Sequence, residues 1–185
     1  MSDGLRPTLW TIGHSTRPID EFIALLQAHA IAELIDVRTV PRSRHNPQFN
    51  TDTLAQSLRN KGIQYRHMPA LGGLRKPNKD SRNAGWRNES FRGYADYMQT
   101  EEFQRAVEEL MAESRLHRTA VMCAEAVPWR CHRSLIADAL VSRGWEVRHI
   151  MTESNADQHQ LTSFAVSQNG TLTYPDPDAV PRLFD

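Results

Sequence analysis

The strongest constraint on the fold is an alternation of strand-like segments with segments of helical periodicity. Five strand-like runs are predicted, at residues 9–12, 31–37, 63–67, 118–123 and 145–150. Between the first two runs, Ile19, Phe22 and Leu26 recur at the spacing of an amphipathic helix. Strands joined by helical crossovers form parallel sheets with helices on both faces. The sequence therefore predicts an α/β fold with three layers around an open, mainly parallel sheet.

The predicted helices have recognisable ends. Ser15 or Thr16 is expected to cap the first helix, in which Pro18 lies near the first turn. Gly144 is expected to end the helix that precedes the fifth strand. Besides the first, helices are predicted at residues 51–60, 91–98, 100–111 and 131–142.

A single domain accounts for residues 1–185, with an α/β core at 5–150 that contains a long loop at 68–92. Loops of this length are usually functional lids or disordered segments. An extension at 151–185 follows the core. In it, Asn169-Gly170 is the strongest short signal for a β-hairpin. The hairpin, or a pair of edge strands, is predicted from residues 161–168 and 171–174, closed by Leu183 and Phe184.

The net charge of zero hides an uneven distribution. Residues 38–92 carry +9, whereas the segments before and after them carry −3 and −6. Of the 22 basic residues, 19 are arginine, whose planar guanidinium binds phosphate or carboxylate bidentately. The basic segment predicts anion binding, and a solvated surface is the alternative.

The compartment is predicted from the cysteines and from the lack of long apolar runs. No run approaches the roughly 20 apolar residues that span a bilayer. Cys123 and Cys131 do not form a disulfide framework, which favours a reduced, cytoplasmic protein without a membrane partner. The sequence leaves the cofactor and the oligomeric state open.

Chemically active side chains follow each predicted strand. Ligands of open α/β sheets bind outside the carboxyl ends of the strands, so these side chains are expected to share one rim. They are His14 and Ser15, Asp36 and Arg38, His67, Cys123 and Glu125, and His149. The neighbouring loops add Arg42, Arg44, Gly72 and Gly73 as candidate substrate-binding residues, with Tyr94 from the following helix.

The segment from Cys123 to Arg133 combines two thiols, a histidine and two arginines. A helix that begins near Cys131 would favour anions and lower a thiol pKa. The spacing between Cys123 and Arg130 is one residue longer than in thiol phosphatases, so that class is excluded. A zinc site made by Cys123, Cys131 and His132 with His14 or His67 is an alternative, as is a pair of buried structural cysteines.

Other polar residues receive no site role. The acidic side chains of residues 101–113, Glu113 among them, are expected to form a solvated helix face. His29, His117 and His159 lie outside the predicted rim and stay unassigned.

The ordered set of short motifs resembles the uncharacterised domain of unknown function 488 family. The motifs are Thr11–Ser15, Asp36–Arg38 with Pro41–Arg44, Leu71–Gly73, Phe91–Tyr94, Cys123–Glu125, Cys131–Arg133 and Val147–Ile150. The resemblance implies a cytosolic prokaryotic α/β protein. It implies no particular reaction.

Three functions are compatible with the rim. The favoured hypothesis is an enzyme acting on a phosphate-bearing nucleotide or nucleic acid. Asp36 or Glu125 would be its acid or base, His14 their partner, and Cys123 or Cys131 the nucleophile. Arg38, Arg42, Arg44, His132 and Arg133 would bind the anionic groups. The alternatives are a non-catalytic nucleic-acid or nucleotide-binding module and a metal-dependent hydrolase with Cys and His ligands.

Overall fold

A six-stranded sheet forms the centre of the molecule, whose computed structural model describes residues 4–179. Its strands are β1 (Thr8–Gly13), β2 (Glu33–Asp36), β3 (Gln64–His67), β4 (Thr119–Cys123), β5 (Glu146–Ile150) and β6 (Ala156–Gln158). The spatial order is β3-β2-β4-β1-β5-β6, and β1 to β5 are parallel. The five predicted strands and their parallel arrangement are therefore confirmed. β6 is short, polar and antiparallel to β5, and the sequence pattern does not predict it.

Five α-helices connect the strands. They are α1 (Ile19–Ala28), α2 (Thr51–Arg59), α3 (Glu89–Tyr97), α4 (Glu101–Leu116) and α5 (Arg133–Val141). The expected side-chain cap on α1 is wrong, because Pro18 occupies the N-cap position and makes no side-chain hydrogen bond there. Ser15 instead adopts a positive φ of 50° in the preceding turn. Three of the other helices lie within two residues of their predicted bounds, and α4 ends five residues later than predicted.

Alternate residues of the strands face opposite helical layers, as the two-residue period of a strand requires. Leu9 and Val121 pack in the core beneath α3, α4 and α5. Their neighbours Trp10 and Met122 pack in the core beneath α1 and α2. The three predicted layers are confirmed, and each face of the sheet is covered by a different helical layer.

The long segment before α3 is tied down at several points. The buried carboxylate of Asp96 accepts hydrogen bonds from the Asn78 backbone amide (2.7 Å), the Ser81 hydroxyl (2.6 Å) and the Asn83 side chain (2.7 Å). Gly93 lets this segment approach α3, since a Cβ there would lie 2.1 Å from the Arg75 carbonyl oxygen. The segment therefore forms a fixed wall beside the carboxyl edge of the sheet.

The C-terminal hairpin is confirmed at Val166–Gln168 (β7) and Thr171–Thr173 (β8). Asn169 and Gly170 both have positive φ, as a tight two-residue turn requires. The strands are shorter than predicted, and the expected closure by Leu183 and Phe184 lies outside the described residues. None of the helices in residues 4–179 combines the length and the apolar character needed to cross a membrane.

Candidate active site at the carboxyl edge of the sheet

A cavity of about 740 Å³ opens where β1, β2 and β4 end. This volume is within the range of small-molecule sites in proteins, about 300–1,000 Å³. Ten of the fourteen residues predicted for the site line it. These are His14, Ser15, Arg38, Arg42, Gly73, Tyr94, Cys123, Glu125, Cys131 and His132.

Four predicted residues do not line the cavity, namely Asp36, Arg44, Gly72 and Arg133. Asp36 is fully buried and Arg133 is 1% exposed, so neither meets a ligand in the cavity directly. Gly72 packs against Thr39, where a Cβ would lie 2.6 Å from the threonine hydroxyl. The structure therefore places Asp36 and Arg133 behind the residues that form the cavity surface.

One wall of the cavity, the arginine wall, is formed by His14 and Arg38, with Asp36 and Phe49 supporting them from behind. The Asp36 carboxylate accepts three hydrogen bonds from Arg38: from its backbone amide (3.1 Å), its Nε (2.9 Å) and its Nη2 (2.7 Å). The Tyr65 hydroxyl donates a fourth, at 2.6 Å. Nη2 of Arg38 also donates to the Phe49 carbonyl. The guanidinium is thereby fixed, and its Nη1 is the nitrogen left to face the cavity and His14.

His14 completes the arginine wall in its neutral form. Its Nδ1 lies 2.7 Å from the Ser15 carbonyl oxygen, which only accepts, so Nδ1 carries the proton. Nε2 is then an acceptor and lies 3.4 Å from Nη1 of Arg38. Burial lowers the pKa of His14, and the charge of Arg38 acts in the same direction. The ring stacks on Phe49, with centroids 4.3 Å apart.

Backbone pairing beyond the strand ends brings His14 beside Cys123. The amides of His14 and Ser15 donate to the carbonyls of Cys123 (3.0 Å) and Ala124 (2.9 Å). Gly13 is required at this contact, because a Cβ there would lie 1.7 Å from the Glu125 carbonyl oxygen. This pairing fixes the end of β1 relative to the end of β4, and so fixes His14 relative to Cys123.

The opposite wall, the thiol wall, consists of Tyr94, Cys123, Cys131 and His132. Burial raises the pKa of Cys123, but a hydrogen bond from Cys131 and the charge of Arg133 outweigh it, so this pKa lies below the ordinary value. Burial and the neighbouring Cys123 raise the pKa of Cys131 well above its ordinary value. Of the two thiols that the sequence offers as nucleophile, Cys123 is therefore the one whose pKa is lowered.

His132 and Tyr94 hold the thiol wall in place. Nε2 of His132 donates to the Val37 carbonyl at 3.0 Å, which leaves Nδ1 as an acceptor 3.5 Å from the Cys131 sulfur. Burial lowers the pKa of His132 to about 4. The Tyr94 hydroxyl donates to the Leu71 carbonyl at 2.8 Å. Tyr94 therefore contributes its ring to the cavity, and its hydroxyl is engaged elsewhere.

Arg133 lies behind the thiol wall and organises the loop after β4. Its Nη2 donates to the carbonyls of Glu125 and Ala126, each at 3.0 Å. Its Nη1 donates to the Thr11 hydroxyl at 3.1 Å, while its Nε has no hydrogen-bond partner among the described residues. The role of Arg133 in this arrangement is to fix the loop and to supply positive charge beside Cys123.

A chain of buried hydrogen bonds continues from Thr11 to a fully buried carboxylate. Nδ1 of His149 lies 2.6 Å from the Thr11 hydroxyl, and Nε2 lies 2.8 Å from Nδ1 of His159. Nε2 of His159 lies 2.7 Å from the Asp138 carboxylate. With the proton of each imidazole on Nε2, every donor points towards Asp138. Burial lowers the pKa of His149 to about 3, which keeps it neutral.

Asp138 also connects this chain of hydrogen bonds to the C-terminal extension. Its carboxylate accepts from the backbone amide and hydroxyl of Thr162 and from the Tyr174 hydroxyl. Sequence reasoning missed Asp138 and left His159 unassigned. The pattern contained no signal for Asp138, because its partners are 21 to 36 residues away along the chain.

The alternative zinc site made by Cys123, Cys131 and His132 is not among the groups of possible metal ligands that lie close together in residues 4–179. Within residues 4–179, the only group of three or more possible ligands close enough to share a metal is Glu33, Glu113 and His117, which does not include the cavity residues. His67, the other proposed ligand, lies 2.7 Å from the Arg38 carbonyl through its Nε2.

The fold and the site together define an open α/β protein with a polar, thiol-containing cavity at the carboxyl edge of its parallel sheet. The chain belongs to the DUF488 family, a domain of unknown function, whose family model matches residues 18–140. The resemblance carried by the motifs is therefore confirmed. The chain has no match among curated proteins or among solved structures.

Proposed function

We propose that this chain is an enzyme that acts on a phosphate-bearing substrate, a nucleotide or a nucleic acid, in the cavity at the carboxyl edge of the sheet. The observation that carries the proposal is the presence in one cavity of a fixed guanidinium, a neutral imidazole and a thiol with a lowered pKa. A site that only binds phosphate would need the guanidinium but neither of the other two groups. The imidazole and the thiol add a proton acceptor and a nucleophile.

Each wall has a distinct role in this proposal. Arg38 binds the phosphate through Nη1, and Arg42 and Arg130, which also line the cavity, add positive charge. The Cys123 thiolate attacks the electrophilic centre of the substrate, and the bond to the leaving group breaks. Nε2 of His14 accepts a proton from the water that later releases the covalent intermediate. Glu125, exposed on the cavity rim, is the second acid or base.

The dimensions and the rim of the cavity support a nucleotide as the substrate. Val40 and Leu74 line the cavity and are 61% and 84% exposed, and the ring of Phe91 lines it as well. The ring of Phe91 offers a stacking surface for a base, and Val40 and Leu74 add apolar contact area beside it. The two free thiols also support a reducing, cytoplasmic location, in which Cys123 stays reduced.

The proposal is tested with a substrate panel. Nucleoside mono-, di- and triphosphates, sugar phosphates and short single-stranded oligonucleotides are incubated with the protein, and the products are followed by mass spectrometry. We expect turnover of one class by the wild type, its loss in C123S and a weaker affinity for the same substrate in R38K. Binding that falls steeply with salt, without turnover of any compound, would overturn the enzymatic role in favour of a nucleic-acid-binding module.

A further inference from the structure

The opposite edge of the sheet carries a second cluster of polar side chains, far along the strands from the cavity. Glu33 is the first residue of β2, while Glu113 and His117 lie at the end of α4. One carboxylate oxygen or ring nitrogen from each of the three lies within 4.8 Å of those of the other two. This cluster takes no part in the proposed reaction, so it needs a separate explanation.

The carboxylate of Glu33 is buried without a hydrogen-bond donor. The residue is 2% exposed, and its Oε2 has no hydrogen-bond partner among the described residues. Its other oxygen lies 3.7 Å from Nε of Arg66, which is longer than a hydrogen bond. Buried carboxylates are normally hydrogen-bonded, paired at close range or bound to a metal. The unpartnered oxygen therefore points to a cation that binds at this position.

Arg66 does not fill this role. Its guanidinium is 41% exposed and makes its short contacts with Glu109 (3.2 Å) and Glu113 (3.1 Å). Glu109 is itself 59% exposed, so the pair of Arg66 and Glu109 can persist at the surface when Glu113 turns to another partner.

The backbone presents Glu113 and His117 in a geometry suited to chelation. They are four residues apart, and the His117 amide donates to the Glu113 carbonyl at 3.0 Å in the last turn of α4. Side chains at this spacing lie on the same face of a helix. Glu33 approaches from the sheet, so a bound ion would join the start of β2 to the end of α4.

We propose that Glu33, Glu113 and His117 form a structural binding site for a divalent transition-metal ion, with Zn²⁺ as the best match. An imidazole nitrogen with two carboxylates is a ligand set that Zn²⁺ accepts, whereas Ca²⁺ and Mg²⁺ prefer oxygen ligands alone. The site crosslinks the sheet to α4 and stabilises the fold. It is independent of the proposed function of the cavity.

The test uses the full chain stripped of metal with a chelator, in a C123S/C131S background that removes binding by thiols. Zn²⁺ is titrated in competition with a chromophoric chelator, and Co²⁺ is added separately to obtain the absorption spectrum of the site. We expect one equivalent to bind and to raise the melting temperature. H117A and the isosteric E33Q should each weaken Zn²⁺ binding by about 100-fold.

The matched control is E109Q, because Glu109 also contacts Arg66 but does not belong to the cluster. E109Q should bind Zn²⁺ as the thiol-free parent does, and circular dichroism checks that every variant folds. The proposal is overturned if the thiol-free parent binds no Zn²⁺, or if both H117A and E33Q bind it as tightly as E109Q.

Discussion

The two walls of the cavity differ in how their charges are arranged. In the arginine wall, a full positive charge is held by a fully buried carboxylate with four hydrogen-bond donors. In the thiol wall, burial keeps His132 neutral, and of the two thiols Cys123 has the lower pKa. The first wall is built to hold an anion in one position, and the second to present one reactive group.

This difference arises from the sheet itself. Arg38 and His14 lie on the side of α1 and α2, where Phe49 packs, whereas Cys123 and Cys131 lie in the core beneath α3, α4 and α5. The cavity lies across the end of the sheet, so the residues of each wall pack against a different helical layer. Substitutions in one wall should therefore leave the property of the other wall largely intact.

The largest expected effect follows from removing the nucleophile of the thiol wall. C123S should lower turnover of the substrate identified in the panel by about 1,000-fold, because the hydroxyl does not ionise at neutral pH. Its affinity for pyrophosphate, measured by calorimetry, should stay within about twofold, since the phosphate contacts belong to the arginine wall. A parallel loss of both properties would show that the two walls do not act separately.

The next effect concerns the buried ion pair behind the arginine wall. D36N leaves the Arg38 charge uncompensated and should lower the free energy of unfolding by about 3 kcal/mol. Urea denaturation measures this change. The control is D178N, in the exposed pair of Arg87 and Asp178, which should change stability by less than about 0.5 kcal/mol. Similar values for the two variants would argue against the supporting role of Asp36.

A smaller effect is expected when the charge of the arginine wall is kept and its shape is changed. R38K should weaken pyrophosphate binding by about 10-fold, because lysine loses the planar fork that Asp36 holds in place. The rate of Cys123 alkylation without ligand should change much less. Equal pyrophosphate affinity in R38K and the wild type would contradict phosphate binding by Arg38.

The smallest effect is a dependence of stability on pH through the thiol wall. The pKa of His132 is lowered from 6.5 to about 4 in the folded protein. Between pH 4 and pH 6.5 the unfolded chain therefore binds more protons at this residue than the folded protein does. Stability should therefore fall as the pH falls below about 6.5, by about 1 kcal/mol between pH 7 and 5.5 from this residue. H132Q should reduce the slope by this amount and leave the contributions of His149 and His14, whose pKa values are also lowered, whereas H45Q, at an exposed histidine, should keep the wild-type slope.

Much of this arrangement could be predicted from local pattern. Apolar periodicity located the five parallel strands, and the rule that ligands bind at carboxyl strand ends placed His14, Arg38 and Cys123 on one rim. Asn169-Gly170 located the hairpin, because only a few residue pairs suit its turn. These features depend on neighbours within a few residues, which the sequence displays directly.

The features that could not be predicted depend on contacts between distant residues. Asp36 follows a strand as expected, yet its role is decided by Arg38, which folds back on it, and by Tyr65 from the next strand. Which thiol has the lower pKa depends on burial, on the contact between Cys123 and Cys131 and on the charge of Arg133, all of which arise only in the folded chain. Glu113 was assigned to a solvated face because the burial of Glu33 beside it is a property of the folded chain.

The central claim is that a phosphate bound to the arginine wall lies beside the reactive thiol of the opposite wall. It is tested most directly by the rate of Cys123 alkylation by iodoacetamide, followed by peptide mass spectrometry with and without pyrophosphate. At a pyrophosphate concentration about ten times its Kd, the account predicts a rate about 10-fold lower in the wild type. At that same concentration, R38K should show much less protection. A wild-type rate that pyrophosphate leaves unchanged, while calorimetry shows it bound, would contradict the account.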